Sequence, residues 1–315
     1  MEDVAHKTGT SSVGQKSPQP QKSRETKIVP KAKTFPTWGD ILVFLGIFVV
    51  AATIANLLLV FFSDTLPREE LTAIGYMLQF GLTIAGILFY RWKRGGKGKL
   101  LRFSIKWFNA ALVIWGLVLM IAVSIVIEPL QNLFPDKYLD LLDETIGTGG
   151  WAVLTAVVLA PVLEETLFRG IILESIRQKS GAFVAILLSA AIFGVIHLIP
   201  QQVIYAFFMG IVLGFVYIQT ESLFSVMLIH AVNNGIAMLT MHVTGSSGFS
   251  IREAIPNPTV YHVVYAVCAL LVVAGFVSIV LIVRRQEAKE QSLAKETDPA
   301  SQQPSPKADT PSDRQ

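Results

Sequence analysis

The sequence predicts an all-α fold, a polytopic membrane helix bundle of about eight transmembrane helices. Three observations carry this reading. Of the 315 residues, 52% are hydrophobic and only 16% are charged, too apolar a balance for an ordinary soluble domain. The apolar residues fall into eight runs, most of them near the ~20 residues that span a bilayer. The charges between the runs alternate in sign from one connection to the next.

Residues 1–37 are polar and rich in Lys, Ser, Thr, Gln and Pro, and read as a disordered cytoplasmic tail. Residues 38–285 form the membrane domain, and 286–315 read as a second disordered cytoplasmic tail. The first apolar run, 41–62, lies too far behind its polar leader to be a cleavable signal peptide and reads as a first span. Asp64, Glu69 and Glu70 separate it from the second, 71–90. A strongly basic connection follows, with Arg91, Lys93, Arg94, Lys97, Lys99, Arg102 and Lys106. Trp92 and Trp107 flank it and suit interfacial anchoring. The third run, 110–130, is followed by Asp136, Asp140, Asp143 and Glu144, and the fourth, 151–172, by Arg177 and Lys179. The remaining runs are 182–199, 203–218, 223–240 and 260–283, with Arg284 and Arg285 after the last. The run 203–218 is short, so it is expected to be tilted or partly re-entrant.

Basic connections stay in the cytoplasm. Eight spans with both termini inside satisfy every connection. The net charge of +3 is small and sits beside apolar segments, so membrane topology accounts for it and no nucleic-acid partner is expected. The single cysteine, Cys268, lies in an apolar run and reads as a packed small hydrophobe; one cysteine excludes an internal disulfide.

Glu164, Glu165, Arg169, His197, His230 and Asn234 all fall inside these spans. Each charge placed in hydrocarbon costs at least ~2.5–3.5 kcal/mol, so such groups mark a polar functional cavity. Residues four apart share a helix face. Glu165 and Arg169 can therefore pair, which leaves Glu164, rotated by roughly 100°, available for proton transfer. Phe193 and His197 share a face, as do His230 and Asn234. Taken singly, these are also the marks of an internal ion pair, a packed histidine and an interhelical hydrogen bond. Their clustering on three of four successive helices favours a site. The chain has no His-Glu-x-x-His, no Gly-x-Ser-x-Gly and no Walker A motif, and no aspartate well inside a span. Gly245-Ser-Ser-Gly248 falls in a connection.

The three patterns, Glu164-Glu165…Arg169, Phe193…His197 and His230…Asn234, resemble the signatures of the CPBP family of intramembrane proteases. That family includes the type II CaaX prenyl endopeptidases and the Abi-type bacteriocin-immunity proteins. No signature position departs from the pattern, and the block containing them spans 151–240. The resemblance implies hydrolysis of a peptide bond in a membrane-associated peptide or protein, in a multi-pass protein of a cell membrane, by family breadth the bacterial cytoplasmic membrane. Carried over, Glu164 is the general base acting with His197 on a water, His230 and Asn234 stabilise the oxyanion, and Glu165, Arg169 and Phe193 support the site. The family's alternative is a metalloprotease with zinc on Glu164, His197 and His230. Asparagine is a poor zinc ligand, and no metal or other cofactor is favoured. A silent scaffold or immunity protein that binds a partner, and a proton-coupled transporter, are the readings outside catalysis. The transporter reading lacks repeat symmetry in the sequence.

Straight, upright helices would set His197 near the outer face and Glu164 and His230 nearer the cytoplasm, an offset of roughly 10 Å. Pro161 and Pro200 allow breaks that would close it.

Overall fold

A computed structural model describes residues 35–96, 99–102, 110–135, 138, 147–246 and 250–297. Trp107, Asp136, Asp140, Asp143, Glu144, most of the N-terminal tail and residues 298–315 lie outside the described residues. Among the described residues every long element is a helix. In chain order these are α1 (Trp38–Phe62), α2 (Arg68–Lys93), α3 (Ala110–Gln131), α4 (Gly150–Val195), α5 (Pro200–Thr220), α6 (Leu223–Thr244), the single turn α7 (Ile251–Ala254) and α8 (Pro258–Thr297).

Seven of them are long and apolar enough to cross a membrane. The eight expected runs map onto these seven because α4, at 46 residues, holds two of them and breaks at Gly181, whose φ of 81° takes the left-handed region that glycine enters without steric cost. The break divides α4 into a first arm, 150–180, and a second arm, 182–195. The first arm outruns the apolar run 151–172 because Glu174 and Arg177 in the added turns are ion-paired at 3.2 Å. At the C-terminus α8 continues to Thr297, so residues 286–297 are helical where a disordered tail was expected. Gln286, Glu287, Ala288, Lys289, Glu290 and Gln291 are strong helix formers, and they extend a helix already nucleated in the apolar run. The short run 203–218 belongs to a full 21-residue helix, α5.

Local chemistry fixes the helix ends. Thr37 and Asp40 form a reciprocal capping box at the start of α1, the Thr37 N–H donating to Asp40 Oδ2 at 2.7 Å and the Asp40 N–H to Thr37 Oγ1 at 3.2 Å. Tyr90 and Arg94 donate to the other oxygen of Asp40, at 2.7 and 3.1 Å, and tie the end of α2 to the start of α1. α2 carries Glu69 and Glu70 in its first turn and Arg91 and Lys93 in its last, as the helix dipole favours.

Polar contacts sort the connections into two ends. At one end, Lys179 lies 5.4 Å over the Trp38 ring. There too, Arg102 and Arg177 both pair with Glu174 and Glu221, Arg177 at 3.2 and 3.1 Å. At the other end Gln201 donates to Pro135 O at 3.0 Å, the Gly149 N–H donates to Glu69 at 3.2 Å, and Ser250 and the Arg252 N–H bond to Glu128. This is the up-and-down arrangement that the alternating connections predict. Apolar side chains such as Leu42, Val60, Phe61, Leu270 and Val273 are exposed along α1 and α8, and Trp92 is exposed at the end of α2. Such a surface is at home only in lipid, and the chain is a multi-pass membrane protein.

The second arm of α4 packs on α5 through small residues. A Cβ on Gly210 would lie 2.9 Å from Ala190 Cα, and one on Gly194 2.9 Å from Val203 O. Backbones brought this close gain dispersion that larger residues would forfeit. Gly210→Ala must push the two helices apart, and we expect a loss of about 1–3 kcal/mol of stability, read as a lower unfolding temperature in detergent. Unchanged stability would show that the contact is not tight.

Candidate active site

Two stretches of the first α4 arm, Thr155–Leu159 and Thr166–Leu173, are wound as π-helix and bracket Glu164 and Glu165. Such widened turns accompany functional sites because they re-aim side chains and loosen the hydrogen-bond ladder. Here groups from outside the first arm supply donors to carbonyls of the widened turns. Asn234 Nδ2 donates to Ala156 O at 2.9 Å, Ser189 Oγ to Phe168 O at 3.1 Å and the Leu101 N–H to Gly170 O at 3.2 Å.

A cavity of about 600 Å³ lies above this segment. Glu164, Phe193, His197, His230 and Asn234 all line it. His197 lines the same cavity as Glu164 and His230, so the expected offset does not carry it out of the site. The second α4 arm ends at Val195 and spans about 21 Å at ~1.5 Å per residue, well short of a ~30 Å hydrocarbon core. The turn at 196–199 is irregular backbone of the kind tolerated in membrane proteins where it lines a cavity. His197 and Ile199 of this turn do so.

Glu165 is fully buried and its Oε1 accepts two bonds, from Arg169 Nη1 at 2.9 Å and from His230 Nδ1 at 2.8 Å. Arg169, also buried, donates further to Gly210 O at 3.3 Å and lies 4.6 Å over the Phe193 ring. The pairing of Glu165 with Arg169 expected from their spacing is present, and it extends to a histidine from α6. Glu164 points elsewhere. Its Oε1 accepts a short hydrogen bond from Tyr76, and its Oε2 lies 3.9 Å from His230 Nε2.

Both histidines are held by Nδ1. His197 Nδ1 donates to Phe193 O at 2.7 Å, and His230 Nδ1 to Glu165. With Nδ1 donating, the neutral ring carries no proton on Nε2, which becomes an acceptor or a base. Phe193 buttresses both rings edge-on, with centroids 5.0 Å from His197 and 6.2 Å from His230.

Three further cavity residues were not singled out in the sequence. Tyr76 meets Glu164, while Tyr205 donates to Asn233 Oδ1 at 2.9 Å and Asn233 donates to Asn234 Oδ1 at 3.3 Å. None is charged, so insertion cost does not flag them; the only signal is a polar group recurring on an otherwise apolar face. The zinc alternative can be set against the donors. Among the described residues no three of His, Cys, Asp and Glu are arranged to hold an ion in common. Tyr76 bonds Oε1 of Glu164 and Glu165 holds Nδ1 of His230, which leaves Oε2 of Glu164 and Nε2 of both histidines open.

Comparison with known proteins matches the stretch of the chain that holds these residues. Residues 147–236 match the family model described as type II CAAX prenyl endopeptidase Rce1-like, a stretch that contains all three motifs. A Bacillus subtilis (strain 168) protein named "Putative membrane peptidase YdiL" is 29% identical over 82 residues, covering 26% of this chain. The chain spans about a third of the length of that curated relative, 34%. No solved structure matches the chain.

Proposed function

We propose, from the membership of residues 147–236 in the Rce1-like family of type II CAAX prenyl endopeptidases, that this chain is an intramembrane endopeptidase. It hydrolyses a peptide bond of a membrane-associated peptide or protein with a water activated by Glu164 and His197. The observation that carries the reading is the division of labour between adjacent carboxylates. Glu165 is consumed by Arg169 and His230, whereas Glu164 faces the cavity that His197 and His230 also line.

In this mechanism a water lies between Glu164 and the bare Nε2 of His197. Glu164 takes its proton, and the hydroxide adds to the scissile carbonyl. The Asn234 amide, fixed by Ala156 O and Asn233, and His230 face the developing oxyanion; His230 donates from Nε2 when its ring is protonated. Collapse breaks the C–N bond, and the proton held by Glu164 passes to the leaving nitrogen. Tyr76 orients Glu164 throughout.

Protein purified and exhaustively chelated should keep its activity, and Asn234→Ala should slow turnover about 10²–10³-fold, the loss expected for one oxyanion donor. Near-stoichiometric zinc in active protein, removed together with activity and restored with it, would overturn the metal-free mechanism.

A further inference from the structure

The cavity is one-sided. On α2 its lining runs from Tyr76 back to Arg68, on the first α4 arm from Glu164 back to Ala152, and on α6 from His230 forward to Met238. At ~1.5 Å per residue these are paths of about 12, 18 and 12 Å, all leading to the same end of the bundle. Arg68, Thr72 and Ala237 along them are exposed. In the other direction the floor is solid. Leu167, Phe168, Ile171, Val216 and Val226 are almost wholly buried, and the buried Glu165–Arg169 pair lies among them. No lining residue lies beyond Glu164 on the first α4 arm, beyond Leu213 on α5 or before His230 on α6.

The end onto which the cavity opens holds the connections with Asp64, Glu69 and Glu70 and with Gly147 and Gly149, whereas the closed end holds Lys93, Arg94, Lys99, Arg102, Arg177 and Lys179. Positively charged connections remain in the cytoplasm. We infer that the cavity opens to the non-cytoplasmic face. Given the endopeptidase reading, its substrate class is then an exported or outer-leaflet peptide with an apolar segment at the scissile bond, and not a protein that reaches the membrane from the cytoplasm. The apolar lining of Met120, Ala152, Ala156, Met209, Leu213 and Met238 suits such a segment.

The test is side-specific labelling of full-length protein in a Cys268→Ala background. Thr72→Cys and Ala237→Cys, at the mouth, should react with a membrane-impermeant maleimide on intact spheroplasts and be protected in sealed inverted vesicles; Lys179→Cys should show the reverse. Mouth cysteines labelled only in inverted vesicles would overturn the inference, and so would mouth and Lys179 positions labelled from the same side. A second arm presents one apolar-anchored reporter peptide on either face. Cleavage only on the cytoplasmic face refutes the access side while sparing the protease. Cleavage on neither face, with the labelling as expected, refutes the protease and leaves the access side standing.

Discussion

Glu164→Gln is expected to slow peptide-bond hydrolysis by about 10²–10⁴-fold, the range lost with a general base, while leaving folded protein at wild-type levels. The amide is isosteric, and its oxygen can still accept from Tyr76, the partner that holds Glu164 in place. Among the described residues, the Glu164 charge enters no ion pair apart from the 3.9 Å approach to His230. Turnover by purified protein and its thermal unfolding in detergent, measured side by side, check both halves. Activity near the wild-type rate would remove Glu164 from the chemistry.

Glu165→Gln should behave differently. Its carboxylate and the Arg169 guanidinium are 0% and 1% exposed, and removing one member of a buried pair leaves the other charge uncompensated, a loss of about 3–5 kcal/mol. The same change weakens the hold on His230 Nδ1, so activity should fall with stability. The unfolding temperature of Glu165→Gln should drop well below that of Glu164→Gln. Equal stability of the two variants would refute the separation of roles.

Much of this architecture was legible in the sequence because hydrocarbon penalises polar groups so heavily. Runs of apolar residues marked the spans, and the few charges inside them marked the positions that the structure gathers round one cavity. The four-residue spacing of Glu165 and Arg169 was enough to foresee their pairing. What the sequence hid depended on helix length and bend. The first α4 arm runs on to residue 180 through turns held by the Glu174 ion pairs, and the second arm stops at Val195. A pattern of hydropathy cannot register where a helix stops short of its neighbours, so the meeting of His197 with the cavity was not legible. The π-wound turns that re-aim Glu164 were invisible for the same reason. Tyr76, Tyr205 and Asn233 were missed because a neutral polar side chain in a span has many innocent uses, and only the fold shows which carboxylate or amide it meets.

The central claim is that this membrane cavity cuts peptide bonds, and the most direct measurement is a comparison of membrane peptides and small proteins. Cells carrying the wild-type protein are set against cells carrying Glu164→Ala at equal expression, with new N-termini identified by mass spectrometry. The account predicts N-termini within or beside apolar segments that are present with the wild-type protein and missing with the variant, together with accumulation of the uncut precursors. Identical peptide profiles in the two strains, with both proteins folded in the membrane, would contradict it.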